Sequence, residues 1–336
     1  MFTSEVIYLK KIPVSFVCDS NYVIPTVVAI TSLICNKNPD TYYDIYIITA
    51  DLSEPELEKF YEFRSSTADI HIIKASEEKF EDLPLYSYIP STAYLNFDLP
   101  ILIANQDKVL HLDGDVIIQR DLSDLFEMNI DDYYAGVVKD IGLIDNDLNI
   151  KNYFNNGVML LNLKLMREND VSTALLNIAK SGVKLKYMDQ DCFNILFEEK
   201  VKLLPIKYNC FNEYSQRIKD KCTHDYINEC FGTNYSSMDN ITQDSYIIHF
   251  VGSDKPWIYF GSVPVHIWDE YFERSSFKFH KLKRKSIKLK RLKDNILSYR
   301  LAKLPYLFFK YWRNYGFKFT MGKVKNYFNN KKLNFL

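Results

Sequence analysis

Between residues 12 and 112 the chain alternates short β-branched and aromatic runs with stretches of helical periodicity, and this alternation constrains the fold more than any other feature. Residues 12–18 read as a strand, Asp19-Ser20-Asn21 as a polar loop and residues 22–35 as a helix; residues 42–49 begin a second such unit. Ser53, with Glu56 three positions on, forms a capping box that opens a helix to about residue 64. Residues 69–74 give a third strand and 108–112 a fourth, with a helix expected between them. Strands alternating with helices imply an α/β fold with a parallel or mostly parallel sheet flanked by helices, whose ligands bind outside the carboxyl ends of the strands. Further strands are expected at 134–139, 157–163 and 246–251, and helices at 171–181 and 191–197.

Charge divides the chain in two. Residues 1–273 carry a net charge of −19, whereas residues 274–336 carry 19 basic residues against the single acid Asp294, a net +18. The sequence therefore predicts two parts: a folded body over 1–273, and a basic helical and aromatic tail over 274–336 suited to an anionic surface. Leu282, Leu289, Leu292, Ile296 and Leu301 recur at near-helical spacing in that tail, and Tyr306, Phe308, Phe309, Tyr311 and Trp312 follow. An anionic membrane surface is the expected partner. A nucleic acid is not, because a body of net charge −19 repels a polyanion. Glu5 and Lys10-Lys11 interrupt what a signal peptide would keep apolar, and no uncharged apolar run reaches the roughly 18 residues a bilayer span requires. A cytoplasmic protein, peripheral on the inner face of the membrane, is expected. The six cysteines form no C-x-x-C pair and read as reduced thiols.

The segment KVLHLDGDVIIQRDL carries the strongest chemical signal. Asp113 and Asp115 leave the end of an apolar strand, separated by a glycine that permits close backbone approach. Two such carboxylates, together with phosphate oxygens, suit Mg²⁺ or Mn²⁺; the bland alternative is a pair of solvated loop acids. Downstream, IIHFVGSDKPW places His249 at another strand end, followed by Gly252 and Lys255. A lone histidine there is often structural. A glycine turn and a lysine, however, are what a diphosphate needs, and an imidazole beside two carboxylates would complete a metal sphere and tilt it toward Mn²⁺.

Taken in order, FVCDSNY, KVLHLDGDVIIQRDL, YFNNGVMLLNL, MDQDCFN and HFVGSDKPW resemble glycosyltransferase family 8, and in particular its bacterial lipopolysaccharide α-galactosyl- and α-glucosyltransferases. The resemblance spans roughly residues 12–257. It implies a Rossmann-like fold of the GT-A type and a retaining hexosyltransferase that uses a UDP-sugar donor, UDP-glucose or UDP-galactose, with Mn²⁺ or Mg²⁺. It further implies that Asp19 and Asn21 contact uridine and ribose, that Asp113, Asp115 and His249 bind the metal, and that Gly252 and Lys255 hold the diphosphate. Asn155, Asp189 and Gln190 would line the sugar pocket, with Asp140 reaching the same site. Asp189, Gln190 and Asp191 also fit a plain helix N-terminus, where acids are favoured by the dipole.

One position departs from the family pattern. Where relatives carry an arginine in a Tyr-x-Arg segment, this chain has Tyr94-Leu95-Asn96, which offers a neutral hydrogen bond in place of a charge. The acceptor implied by the resemblance is a saccharide, such as a lipid-linked surface glycan of the lipopolysaccharide-core type, and the region 216–240 is expected to form part of its wall. Two other classes stay open on the residues alone: a metal-dependent phosphohydrolase built on the two aspartates, and a non-catalytic module that binds sugar nucleotide or glycan.

Overall fold

The computed structural model describes residues 9–85, 90–143, 146–211, 223–260, 265–288 and 290. The strands are β1 (Lys10–Val17), β2 (Thr41–Thr49), β3 (Ala68–Lys74), β4 (Lys108–Leu112), β5 (Val116–Ile118), β6 (Ala135–Lys139), β7 (Phe154–Asn162), β8 (Val201–Leu203), β9 (Cys210–Phe211), β10 (Ile247–His249), β11 (Tyr259–Phe260) and β12 (Lys285–Ser286). The α-helices are α1 (Val23–Cys35), α2 (Glu54–Tyr61), α3 (Leu99–Leu102), α4 (Ser123–Phe126), α5 (Leu163–Glu168), α6 (Val171–Lys180), α7 (Met188–Phe197), α8 (His224–Phe231), α9 (Met238–Asp244) and α10 (Val265–Arg274).

Seven strands form the central sheet in the order β3-β2-β1-β4-β7-β6-β8. From β3 to β4 all neighbours run parallel; β7 is antiparallel to both β4 and β6, and β6 pairs in parallel with β8. The expected mostly parallel α/β sheet is what forms. Its central strands read as near-continuous apolar runs because both faces are covered: Val14, Phe16, Ile45, Ile47, Leu110, Leu112 and Leu160 face one core, while Tyr46, Ile48, Val109, Met159 and Leu161 face the other. A smaller sheet, β5-β10-β9, carries His249 at its centre.

The expected capping box is present, with the Ser53 backbone N–H donating to Glu56 Oε2 at 2.9 Å and Pro55 tolerated in the first turn. Between β3 and β4 the expected single helix is replaced by 3₁₀ segments over Glu78–Phe80 and Ser91–Asp98 and by the one-turn α3. Pro84, Pro90 and Pro100 punctuate this stretch. Tyr94, Leu95, Asn96 and Phe97 are all buried in succession, which leaves no polar face for an ordinary surface helix. The strand expected from residue 157 begins three residues earlier, at Phe154, and the helix expected from 191 begins at Met188.

The described residues divide into a larger unit, those within 1–258 and 262–282, and a smaller one, those within 259–261 and 283–336. Within the smaller unit β11 pairs in parallel with β12. Among the described residues no helix is long and apolar enough to cross a membrane. The aromatic cluster Tyr306–Trp312 and the amphipathic pattern beyond Lys290 lie outside the described residues, as does 216–222 of the expected acceptor wall; from Thr223 that wall is α8 and α9.

Candidate active site

The carboxyl ends of β1 and β4, the start of β7, the N-terminus of α7 and the end of β10 open into one cleft of about 450 Å³, a size suited to a small-molecule ligand. Asp19, Asp113, Asp115, Asp140, Asn155, Asp189, Gln190, His249 and Gly252 all line it. Asn21 does not: its side chain is exposed, while its backbone N–H and that of Tyr22 donate to Asp19 Oδ1 at 2.9 and 3.0 Å in an Asx turn that starts α1. Tyr22 occupies the wall instead. Lys255 is buried behind the wall, where its ammonium donates to Asp115 Oδ2 and, at 2.8 Å, to the Phe250 carbonyl.

Asp113, Asp115 and His249 converge. Their ligand atoms all lie within 4.8 Å of one another, with His249 Nε2 3.1 Å from Asp115 Oδ1 and 3.7 Å from Asp113 Oδ2. Glycine is required beneath them. A Cβ at Gly157 would fall 2.3 Å from His249 Cε1 and 2.5 Å from Asp113 Oδ2, so β7 can pass under the cluster only without a side chain. Gly114 serves packing as well, since a Cβ there would meet Thr26 Oγ1 of α1 at 2.3 Å. The three groups form a hard-to-borderline donor set fitted to Mg²⁺ or Mn²⁺, and the buried Asp115 Oδ1 receives no hydrogen bond.

The two aspartates are tuned in opposite directions. Asp113 is 40% exposed at its side chain, yet its desolvation in the cleft and the neighbouring Asp115 charge push it up to about 6. Burial alone would raise Asp115 too, but the Lys255 charge and the facing His249 ring outweigh it and hold that carboxyl well below the usual range. For Lys255 burial works against the charge, and Asp115 more than compensates, raising the ammonium above its ordinary value.

The opposite wall is made by β7 and α7. The register between β6 and β7 breaks after Val137, which pairs with Met159, so that Val138 pairs with Asn155; the chain over Asn156–Val158 bulges out of that pairing. The bulge aims Asn155 and Asn156 into the cleft. At α7, Met188 adopts φ 46°, a left-handed conformation costly for a side chain by roughly 1–2 kcal/mol, and turns the chain so that Asp189 and Gln190 enter the site. Asp189 Oδ2 accepts from Asn156 Nδ2 at 2.7 Å and Asn96 Nδ2 at 3.0 Å; burial pushes its carboxyl up to about 7 against those two donors. Gln190 Oε1 accepts from Asn155 Nδ2 at 3.1 Å, and its Nε2 donates toward the Tyr153 hydroxyl and Asp140 Oδ2 at 3.3 and 3.4 Å.

The helix-terminus reading of MDQD belongs to its last member, Asp191. Asp191 Oδ2 accepts the backbone N–H groups of Lys186 and Tyr187 at 2.5 and 2.8 Å, and its other oxygen accepts from the Tyr153 hydroxyl. Sequence reasoning had no handle on Asn156, Tyr153 or Asn209, whose roles arise from a register break and from tertiary pairing. Tyr153 and Asn156 both lie in YFNNG, whose doubled amide is the one local signal among them.

A sheet of this order with two acids at a strand mouth, a histidine beside them and amide-rich groups facing them marks the GT-A class of transferases. The profile of glycosyl transferase family 8 matches residues 13–261, and the chain belongs to that family. It is a glycosyltransferase. It is similar to the lipopolysaccharide 1,2-glucosyltransferase of Escherichia coli K12, 29% identical over 80% of this chain and 76% of the relative. It is also similar to the lipopolysaccharide 1,3-galactosyltransferase of Salmonella typhimurium, 21% identical over 78% and 77%. Among solved structures, the galactosyltransferase LgtC in complex with donor and acceptor sugar analogs superposes with a TM-score of 0.66 at 25% identity, covering 79% of this chain and 96% of that one.

Proposed function

We propose that the protein transfers a hexose from a UDP-sugar to a saccharide acceptor with retention at the anomeric carbon, in the synthesis of a lipopolysaccharide-type surface glycan. The observation that carries this reading is the convergence of Asp113, Asp115 and His249 across the cleft from Asp189 and Gln190. In this reading the first three residues hold a divalent cation, Mn²⁺ in preference to Mg²⁺, which when bound supplies positive charge for the departing diphosphate. Lys255 and the Gly252 turn serve the same diphosphate, Lys255 moving off Asp115 to do so. Asp19 and Asn21 take the nucleoside, with Asn21 turning inward from its exposed position.

On the sugar side, Asp189 and Asn155 accept and donate to hydroxyls, a buried polar arrangement that rejects analogues leaving it unpaired. The Gln190 amide is held at both ends, so it orients and does not attack. That supports same-face substitution, in which the departing phosphate takes the proton of the acceptor hydroxyl. The lipopolysaccharide glucosyl- and galactosyltransferases among the relatives support the acceptor class.

The test is incubation with UDP-glucose and with UDP-galactose in Mn²⁺ without acceptor. Slow release of UDP together with free hexose is expected, as water substitutes for the acceptor. Inorganic phosphate as the product would overturn the reading in favour of a phosphohydrolase, and nucleotide binding without turnover of either donor would leave a binding module.

A further inference from the structure

Hydrogen-bond direction can be read along one line of side chains through this site. It begins at the backbone N–H of Gly157, which can only donate and lies 3.0 Å from Asn155 Oδ1. That makes the Asn155 oxygen an acceptor. Asn209 reaches the same oxygen at 2.9 Å, so it does so with Nδ2, and its own Oδ1 then faces His249 Nδ1 at 3.0 Å. An amide oxygen only accepts. Nδ1 therefore carries a proton, and in the neutral imidazole the other ring nitrogen, Nε2, presents a lone pair toward Asp115 and Asp113. Asp115 Oδ1, buried 3.1 Å away, is the atom that a proton on Nε2 would meet. In the other direction Asn155 is left to donate through Nδ2 to Gln190 Oε1, which turns the Gln190 Nε2 group toward Asp140 and Tyr153.

We propose that Asn209 is a positioning residue: it fixes His249 in the Nδ1–H tautomer that makes Nε2 a cation ligand, and its Nδ2 joins the Gly157 N–H in holding the Asn155 amide that orients Gln190 in the sugar pocket. Asn209 is fully buried and is absent from the cavity wall, so it acts only through these neighbours. Its place is set by the fold. It closes the 3₁₀ turn Ile206–Tyr208 directly before β9, and β9 pairs with β10 so that Phe211 lies opposite His249. The opposite tautomer would put an N–H against Asp115 Oδ1, satisfying the carboxylate in place of a cation and removing the third ligand.

The inference rests on the reading of Asp113, Asp115 and His249 as cation ligands, and the experiment separates the two. Mn²⁺ affinity is measured by electron paramagnetic resonance on the full chain and on Asn209→Leu and Asn209→Asp, alongside steady-state kinetics at saturating Mn²⁺. Asn209→Leu, which removes the acceptor for Nδ1–H, should weaken Mn²⁺ binding by about 10–100-fold. Asn209→Asp keeps that acceptor but opposes Asn155 Oδ1 with a second acceptor. Its Mn²⁺ affinity should change little while kcat falls.

Unchanged affinity in Asn209→Leu, or an equal loss in Asn209→Asp, would overturn the proposal. A parent protein that binds no Mn²⁺ would overturn the metal-site reading instead. In that case, or if Asn209→Leu does not fold, the metal-free parent labelled with ¹⁵N-histidine decides, at a pH about two units above the ordinary imidazole value of ~6.5. A protonated Nδ1 and bare Nε2 at His249 support the assignment, and an Nε2–H tautomer refutes it.

Discussion

Two residues apart, Asp113 and Asp115 meet opposite electrostatic surroundings, and this governs how a cation competes with protons. Asp115 stays ionised under all ordinary conditions because Lys255 and His249 face it, whereas Asp113, pushed up to about 6, is protonated in mildly acidic solution. A proton on Asp113 occupies the group a cation would use. Mn²⁺ affinity should therefore rise with pH up to about 6 and level off above it, falling by about tenfold per unit below that point. A titration of affinity between pH 5 and 8 showing no such slope would remove Asp113 from the ligand set. Replacing Asp115 by alanine should abolish turnover at any metal concentration and also leave the Lys255 ammonium buried without its partner, so a drop in Tm is expected with it. Across the cleft, Asp189→Asn should reduce turnover severely, since its carboxylate is the acceptor for both Asn96 and Asn156 and, in the proposed reading, for donor hydroxyls; Gln190→Ala should reduce it less. Equal, small losses in the two variants would mean that MDQD only caps α7.

At the scale of elements, β7 does more than complete the sheet. Its N-terminal half carries the register break, the Asn155-Asn156 pair and the glycine beneath Asp113 and His249, and Asn194 of α7 clamps it by accepting from the Phe154 N–H at 2.8 Å and donating to the Phe154 carbonyl at 2.9 Å. Gly157→Ala should lower Mn²⁺ affinity and turnover sharply, because the added methyl reaches His249 and Asp113 together. By contrast Ser53→Ala, which breaks the α2 capping box at residues that do not line the cleft, should cost about 1 kcal/mol of stability and leave kcat unchanged. Chemical denaturation and steady-state kinetics on both variants separate the two effects; a Gly157→Ala protein with parental Mn²⁺ affinity would show that β7 can give way. These elements also show what was legible beforehand. The strands β1 to β4 and the acid pair were readable because apolar runs and strand-end carboxylates are local patterns. The 3₁₀ path over Ser91–Asp98, the early start of α7 and the position of Asn209 were not, because each is decided by burial against partners distant in the chain.

Across the whole molecule the outstanding asymmetry is charge, with −19 in residues 1–273 and +18 in the rest. We propose that the basic, aromatic tail recruits the enzyme to an anionic membrane surface and so to a lipid-linked acceptor, with the catalytic body over 1–273 and the tail over 274–336. Each basic group near such a surface contributes on the order of 1 kcal/mol, and interfacial aromatics add apolar burial, so a few contacts suffice. The position of a truncation matters. Phe277 and Leu282 pack on the apolar clusters of the larger unit, and Lys59 lies 6.0 Å over the Phe277 ring, so a cut at Glu273 would strip side chains from that core. Ending the chain after Lys290 spares them and still removes a net charge of +10. The shortened protein should lose flotation with anionic liposomes while keeping its UDP-sugar hydrolysis, and the flotation of the full chain should weaken as salt rises, since screening at 0.15 M already limits such attraction to about 8 Å. Equal flotation of the two proteins would transfer the attachment to residues before 291. Loss of hydrolysis together with flotation would make the tail part of the catalytic fold.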